Sequence, residues 1–149
     1  DNETVALHER VDRARAADAD LFVSVHANAL PVADTPFEKN GFGVYYYQPF
    51  SLDLAEAVHR SLRDRIPLRD DGLHYCNLHV IRQSAMPAIL VECGYLMWPP
   101  EEELLLDPDF QRRAASAIVA GIVTFLEQRF AGRLSASGAP GAGVSDAGR

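Results

Sequence analysis

Two side chains with chemical reach, His26 and Glu92, each close a short apolar run: Leu21-Phe22-Val23-Ser24-Val25-His26 and Ala88-Ile89-Leu90-Val91-Glu92. Side chains alternate between the two faces of a strand, so Phe22, Ser24 and His26 share one face and His26 emerges where its run ends. If both runs are neighbouring strands, the imidazole and the carboxylate meet over one cleft. There a neutral imidazole can bind zinc, and a carboxylate whose pKa is raised by water exclusion can take a proton from a metal-activated water. The same carboxylic acid can return that proton to a leaving amine. Taken alone, a histidine and a glutamate at strand ends are more often structural hydrogen-bonding groups than a catalytic pair. His74, Cys76 and His79 are metal-ligand types too, but their H-x-C-x-x-H spacing matches no zinc module, and His79 reads as a packing residue. Cys93 reads as a small buried thiol after a core strand in preference to a nucleophile.

The elements that must position these groups follow from hydrophobic periodicity. Leu7, Val11 and Ala14 at helical spacing predict an amphipathic helix from Thr4 to about Asp18. The run 21–26 predicts a strand buried on both faces, and 30–40 a loop. Gly41 to Tyr47 predicts a second strand. Ser51 reads as the N-cap of a helix over 51–65, which Pro67 prevents from continuing. Two further strands are expected, at Leu78 to Arg82 and Ala88 to Glu92. Glu101-Glu102-Glu103 reads as a solvated start of a short helix. Asp107-Pro108 then caps a last helix with an apolar stripe through Ala114, Ala117, Ile118, Gly121, Ile122, Phe125 and Leu126. Helices alternating with buried strands imply an α/β fold, a single domain with a mainly parallel twisted sheet flanked by helices on both faces. Ligands in such folds bind at the carboxyl ends of the strands, where His26 and Glu92 stand. Residues 1–132 are read as this domain and 133–149, rich in Gly, Ala and Ser, as a disordered tail or linker.

With 48% hydrophobic and 23% charged residues, the 149-residue chain has the composition of one ordinary globular domain. Twenty-one acidic against 14 basic residues give a formal charge of −7 and no basic run, which argues against a nucleic-acid partner. Two cysteines are too few for a disulfide framework. No stretch reads as apolar enough for a membrane span, and Asp1-Asn2-Glu3 is no signal peptide.

Several blocks then occur in the same order as in one known family. Leu7-His8-Glu9-Arg10-Val11 through Ala19-Asp20-Leu21-Phe22-Val23-Ser24-Val25-His26-Ala27-Asn28 resembles the zinc-dependent N-acetylmuramoyl-L-alanine amidases, with Ser-Val-His-Ala-Asn as the specific core. Gly43-Val44-Tyr45-Tyr46, Leu78-His79-Val80-Ile81-Arg82, Met86 to Leu96 and Glu101 to Leu105 are similar to later blocks of that family, so the resemblance covers roughly residues 4–130.

That resemblance implies hydrolysis of the amide joining N-acetylmuramic acid to L-alanine of the peptidoglycan stem peptide, with Zn2+ as cofactor. It makes His26 a zinc ligand and Glu92 the general base. Ser24 and Asn28 flank the histidine and orient it, and Asn28 and Arg82 are candidate substrate-binding residues. Arg82 could instead pair with a surface acid. Tyr46 or Trp98 could line a glycan groove, although strand aromatics usually serve the core. The family's other zinc ligands, a histidine in a G-H-G motif and a glutamate from a following helix, have no counterpart here. The expectation is therefore an N-terminally truncated domain with poor zinc affinity and no activity alone, unless a complementary chain or segment supplies those ligands. A periplasmic or extracellular location follows from the substrate. The rival reading is a non-catalytic peptidoglycan-binding or regulatory module that keeps the fold.

Overall fold

The computed structural model describes residues 4–29, 39–83 and 85–137. Four helices and four strands follow in the order α1 (Leu7–Ala16), β1 (Phe22–Asn28), β2 (Phe42–Tyr46), α2 (Leu52–Arg63), β3 (Asp70–Tyr75), β4 (Ala88–Tyr95), α3 (Pro99–Leu106) and α4 (Pro108–Ser137). The strands form one sheet in the order β1-β4-β2-β3. β1 is parallel to β4 and β2 to β3, while β2 and β4 are antiparallel. This is the expected α/β domain with a mainly parallel sheet.

Burial explains the layering. On one face, Ile89, Val91 and Cys93 of β4 and Phe42 and Val44 of β2 pack against Leu54, Val58 and Leu62 of α2 and Phe110, Ala114, Ala117 and Phe125 of α4. On the other face, Ala88 and Leu90 of β4 pack with Val11 of α1 and with Val80 and Ile81. β4 is thus apolar on both faces because both are covered, as its uninterrupted run predicts. Ser51 lies at the start of α2 as expected, but its hydroxyl makes no cap bond to that helix; it accepts the Ala88 N–H at 3.0 Å instead and ties the helix to the start of β4. Asp107 does cap α4, accepting the Asp109 N–H at 2.9 Å.

Two strand expectations are wrong. The run 21–26, expected to be buried on both faces, forms an edge strand whose Val25 is 57% exposed, because β1 pairs only with β4 among the described residues. Residues 78–82 form a turn, with the Ile81 and Arg82 N–H groups both donating to the Leu78 carbonyl. Val80 and Ile81 are buried there as plugs against the sheet face, so apolar content without ladder bonding imitated a strand. The strand actually present, β3, is Asp-Asp-Gly-Leu-His-Tyr, an edge strand whose polar composition shows no apolar run. The loop expected over 30–40 falls largely on residues 30–38, outside those described, as do 138–149 of the expected tail; α4 itself continues to Ser137.

The expectation that no stretch is long and apolar enough for a membrane span does not hold for α4. Its Pro108–Ala131 portion qualifies by length and composition. Here Phe110, Ala114, Ala117, Ile118 and Phe125 of that helix are buried in the core, which accounts for the apolar stripe.

Glu101 also departs from expectation. Instead of starting a solvated helix it is only 4% exposed. Its Oε2 accepts the Tyr95 N–H at 2.7 Å, and the carboxylate also takes a hydrogen bond from the backbone of Gly41. Burial raises its pKa, and the two backbone donors partly offset that. The side chain joins the end of β4 to the entry of β2. Glu101→Ala leaves these donors buried and unpaired and is expected to cost about 2 kcal/mol, read as a lower urea midpoint at unchanged slope.

Candidate active site

The parallel pairing of β1 and β4 sets His26 and Glu92 directly opposite each other. Two stretches 66 positions apart in sequence thereby put an imidazole and a carboxyl on one row of the sheet. The sheet face is the one covered elsewhere by α1. Tyr45 of β2, Asn28 of β1, and Asp71 and His74 of β3 complete a polar cluster with the hydroxyl of Tyr95.

Ser24, two positions before His26 on the same face, makes a 2.8 Å hydrogen bond to His26 Nε2. This fixes the ring and leaves the other ring nitrogen for a ligand. Burial, and secondly the positive charge of Arg10, lower the His26 pKa and favour the neutral, ligand-competent imidazole. Burial pushes Glu92 up from 4.5 to about 7, and its Oε2 is buried with no hydrogen-bond partner. A carboxyl near neutrality with a free oxygen can take a proton from water and give it back.

The surrounding phenols feel the same environment. Tyr45 is raised by burial and then by Asp71 and Glu92, while a hydrogen bond with the Asn28 side chain acts in the opposite sense. Tyr95 is raised by burial and by Asp71, whose Oδ2 accepts its hydroxyl at 3.4 Å. Asn28 thus sits against Tyr45 and also accepts the Ala29 N–H at 2.8 Å through Oδ1.

Arg82 is placed differently. It is exposed, donates from Nη2 to His79 Nδ1 at 3.1 Å, and lines a groove of about 220 Å³ with Val11, Asp12 and Arg15 of α1 and Gln83. Its contacts belong to that groove and not to the Glu92 cluster. Tyr46 packs edge-on against Tyr75, and Tyr47 stacks on Tyr75 at 5.3 Å. Cys93 faces the α2 and α4 side, and burial followed by the neighbouring Glu92 charge pushes its thiol to about 11, the state of a packing residue.

Tyr45, Asp71 and Tyr95 were not singled out as site residues by sequence, and His74 was weighed only as part of an H-x-C-x-x-H spacing and set aside. The missed strand β3 carries two of them, and no spacing rule connects Tyr45 or Tyr95 to His26 without the sheet order.

Among the described residues no group of three or more His, Cys, Asp or Glu side chains is placed to hold a metal ion. His26 offers one zinc-type ligand, and one ligand falls short of the three protein ligands usual for catalytic zinc.

Residues 1–124 match the family of N-acetylmuramoyl-L-alanine amidases. The N-acetylmuramoyl-L-alanine amidase LytC of Bacillus subtilis is 32% identical over 120 residues, covering 80% of this chain. The chain spans 24% of LytC's length, and 25% and 62% of two further Bacillus relatives. The catalytic domain of the amidase CwlV from Bacillus (Paenibacillus) polymyxa superposes with a TM-score of 0.77 at 38% identity, over 85% of this chain and 69% of that one. The amidase CwlD from Clostridioides difficile, solved in complex with the GerS lipoprotein, gives a TM-score of 0.71 at 25% identity, over 81% of this chain and 61% of that one. By the extent of the family match and by its shared fold, the chain belongs to the N-acetylmuramoyl-L-alanine amidase family.

Proposed function

We propose that this domain hydrolyses the amide between N-acetylmuramic acid and L-alanine in peptidoglycan, with Glu92 as general base and acid. The observation that carries this reading is the buried, unpartnered carboxyl of Glu92 at about pKa 7, in register with His26. Glu92 takes one proton from the attacking water as oxygen bonds to the lactyl carbonyl carbon. The same proton passes to the alanine nitrogen as the C–N bond breaks, leaving a free carboxyl on the muramic acid and a free amine on the peptide. Zinc, when bound, would supply a more acidic water and charge stabilisation for the carbonyl oxygen. His26 would be one of its ligands, held by Ser24. The remaining ligands would come from outside the described residues, from a preceding segment or from a complementary chain. CwlD, solved with GerS, is one relative that has a partner chain. Asn28 would position the substrate beside Tyr45. The cell envelope or the exterior would be the place of action, since the substrate lies there and the relatives include cell wall amidases.

Ser24→Ala is expected to lower metal affinity and turnover about tenfold, because an unheld imidazole is a poorer ligand; zinc titration and peptide-release rates check this. The reading itself is tested by zinc content and release of stem peptide from purified sacculi. This chain and one extended upstream are compared, each with a Glu92→Ala control. Zinc binding and cleavage by the extended wild type, lost on adding EDTA and in the control, support it. Sacculus binding by both without cleavage would replace it with the non-catalytic binding module.

A further inference from the structure

The row of the sheet that carries His26 and Glu92 continues onto the other two strands. Gly43 of β2 is the register partner of Glu92, and Gly72 of β3 is the partner of Gly43. Two of the four positions in the row therefore have no side chain. Into that space leans His74, two residues after Gly72 on the same face. A Cβ on Gly43 would stand 3.5 Å from His74 Nε2, and one on Gly72 would stand 3.8 Å from it.

Stacking on Tyr45 at 4.7 Å, with 27° between the rings, holds the imidazole in this position. Asp71 Oδ2 stands 3.5 Å from His74 Nε2, a proximity and not a hydrogen bond, and it already accepts the Tyr95 hydroxyl. His74 Nε2 is consequently buried without a hydrogen-bond partner, as is Glu92 Oε2. The two unpartnered atoms flank Gly43, and paired positions on antiparallel strands lie only about 5 Å apart. A Cβ on residue 43 would be in ordinary van der Waals contact with the His74 and Tyr45 rings, at 3.4–3.5 Å. Catalytic hydrogen bonds are often long in the free enzyme and tighten when substrate is bound.

We propose that His74 is a positioning residue for Glu92: across the gap left by Gly43, its Nε2–H donates to the Glu92 carboxylate and aims it at the attacking water. The proposal rests on the reading of Glu92 as general base. It assigns a job to the one imidazole of the cluster that the hydrolytic step leaves unused.

The test uses the upstream-extended protein, zinc-loaded, with N-acetylmuramoyl-tripeptide as the soluble substrate. His74→Phe keeps an aromatic ring for Tyr45 and removes the donor; it is expected to lower kcat about tenfold with KM nearly unchanged. His74→Gln, which keeps an N–H donor, should recover most of that loss. In a Glu92→Gln background, His74→Phe should cost nothing further, because the two residues act as a unit. Independently of turnover, the His74 Nε2 resonance in a 15N-histidine spectrum should move on Glu92→Gln.

A rise in KM alone, full additivity with Glu92→Gln, or a glutamine variant as impaired as the phenylalanine one would each overturn the proposal. If His74→Phe does not fold, the glutamine variant and the spectrum decide. If the extended wild type hydrolyses nothing, the amidase reading falls, and the spectrum alone judges His74: a resonance that moves supports the contact, and one that stays still removes it.

Discussion

Glu92→Gln is expected to lower peptide release between about a hundred- and ten-thousand-fold, the range that a positioned general base contributes, while making the folded domain more stable at alkaline pH. The second half follows from linkage. The folded pKa of about 7 lies above the ordinary 4.5, because burial penalises the charged form. A group raised in this way contributes its full share to stability below pH 4.5, loses it as pH rises through 7, and above that leaves a poorly solvated charge in the fold. Glutamine carries no such charge. In metal-free protein the variant should therefore gain about 2 kcal/mol over wild type at pH 8, after allowing for partial contact with solvent, and much less at pH 4.5. Urea unfolding at the two pH values in EDTA measures this. An equal difference at both would show that the carboxyl is not held near neutrality by burial. Activity and stability moving in opposite directions on one conservative change is the mark of a group placed for chemistry against its own solvation.

The second large effect concerns Gly121 of α4. Helix propensity alone says that alanine there should stabilise by about 1 kcal/mol, since glycine is the poorer helix former. The packing says the reverse. A Cβ on residue 121 would lie 2.5 Å from the Cα of Val58 and 2.9 Å from both the Ala57 carbonyl oxygen and the Val58 nitrogen, all backbone atoms of α2. Close beside this contact, the Ser61 hydroxyl donates to the Ala117 carbonyl at 2.6 Å and locks the two helices together. A methyl group cannot be accommodated by turning a side chain, so α4 must move away from α2. Gly121→Ala should cost about 3 kcal/mol and Gly121→Val more, seen as a fall in the denaturant midpoint. Gly121→Ala at or above wild-type stability would mean that the two helices do not approach this closely. Position 121 was legible in sequence only as one member of an apolar stripe. Its steric role appears when the partner backbone is in place.

What the sequence determined by itself is the part of this protein written in local patterns. The continuous apolar runs ending in His26 and Glu92 read as strands because those segments are covered on one or both faces, and the period of α2 and α4 follows from a single buried stripe on each. The Asp107-Pro108 cap needs only its own neighbours. The blocks around His26 and Glu92 carried enough residue identity to point to a family, and the family match and the fold agree. What only the tertiary structure decided depends on pairings between distant residues. β3 could not be read because an edge strand needs no apolar run, and residues 78–82 imitated a strand because buried plugs and buried strands share a composition. Glu101 looked solvated because nothing local shows that the Tyr95 N–H and the backbone of Gly41 converge on it. The antiparallel register of β2 against β4 put Gly43 beside Glu92, and the β2–β3 ladder then brought His74 over that glycine. No spacing along the chain encodes that meeting, because register between strands is fixed by the packing of the whole sheet.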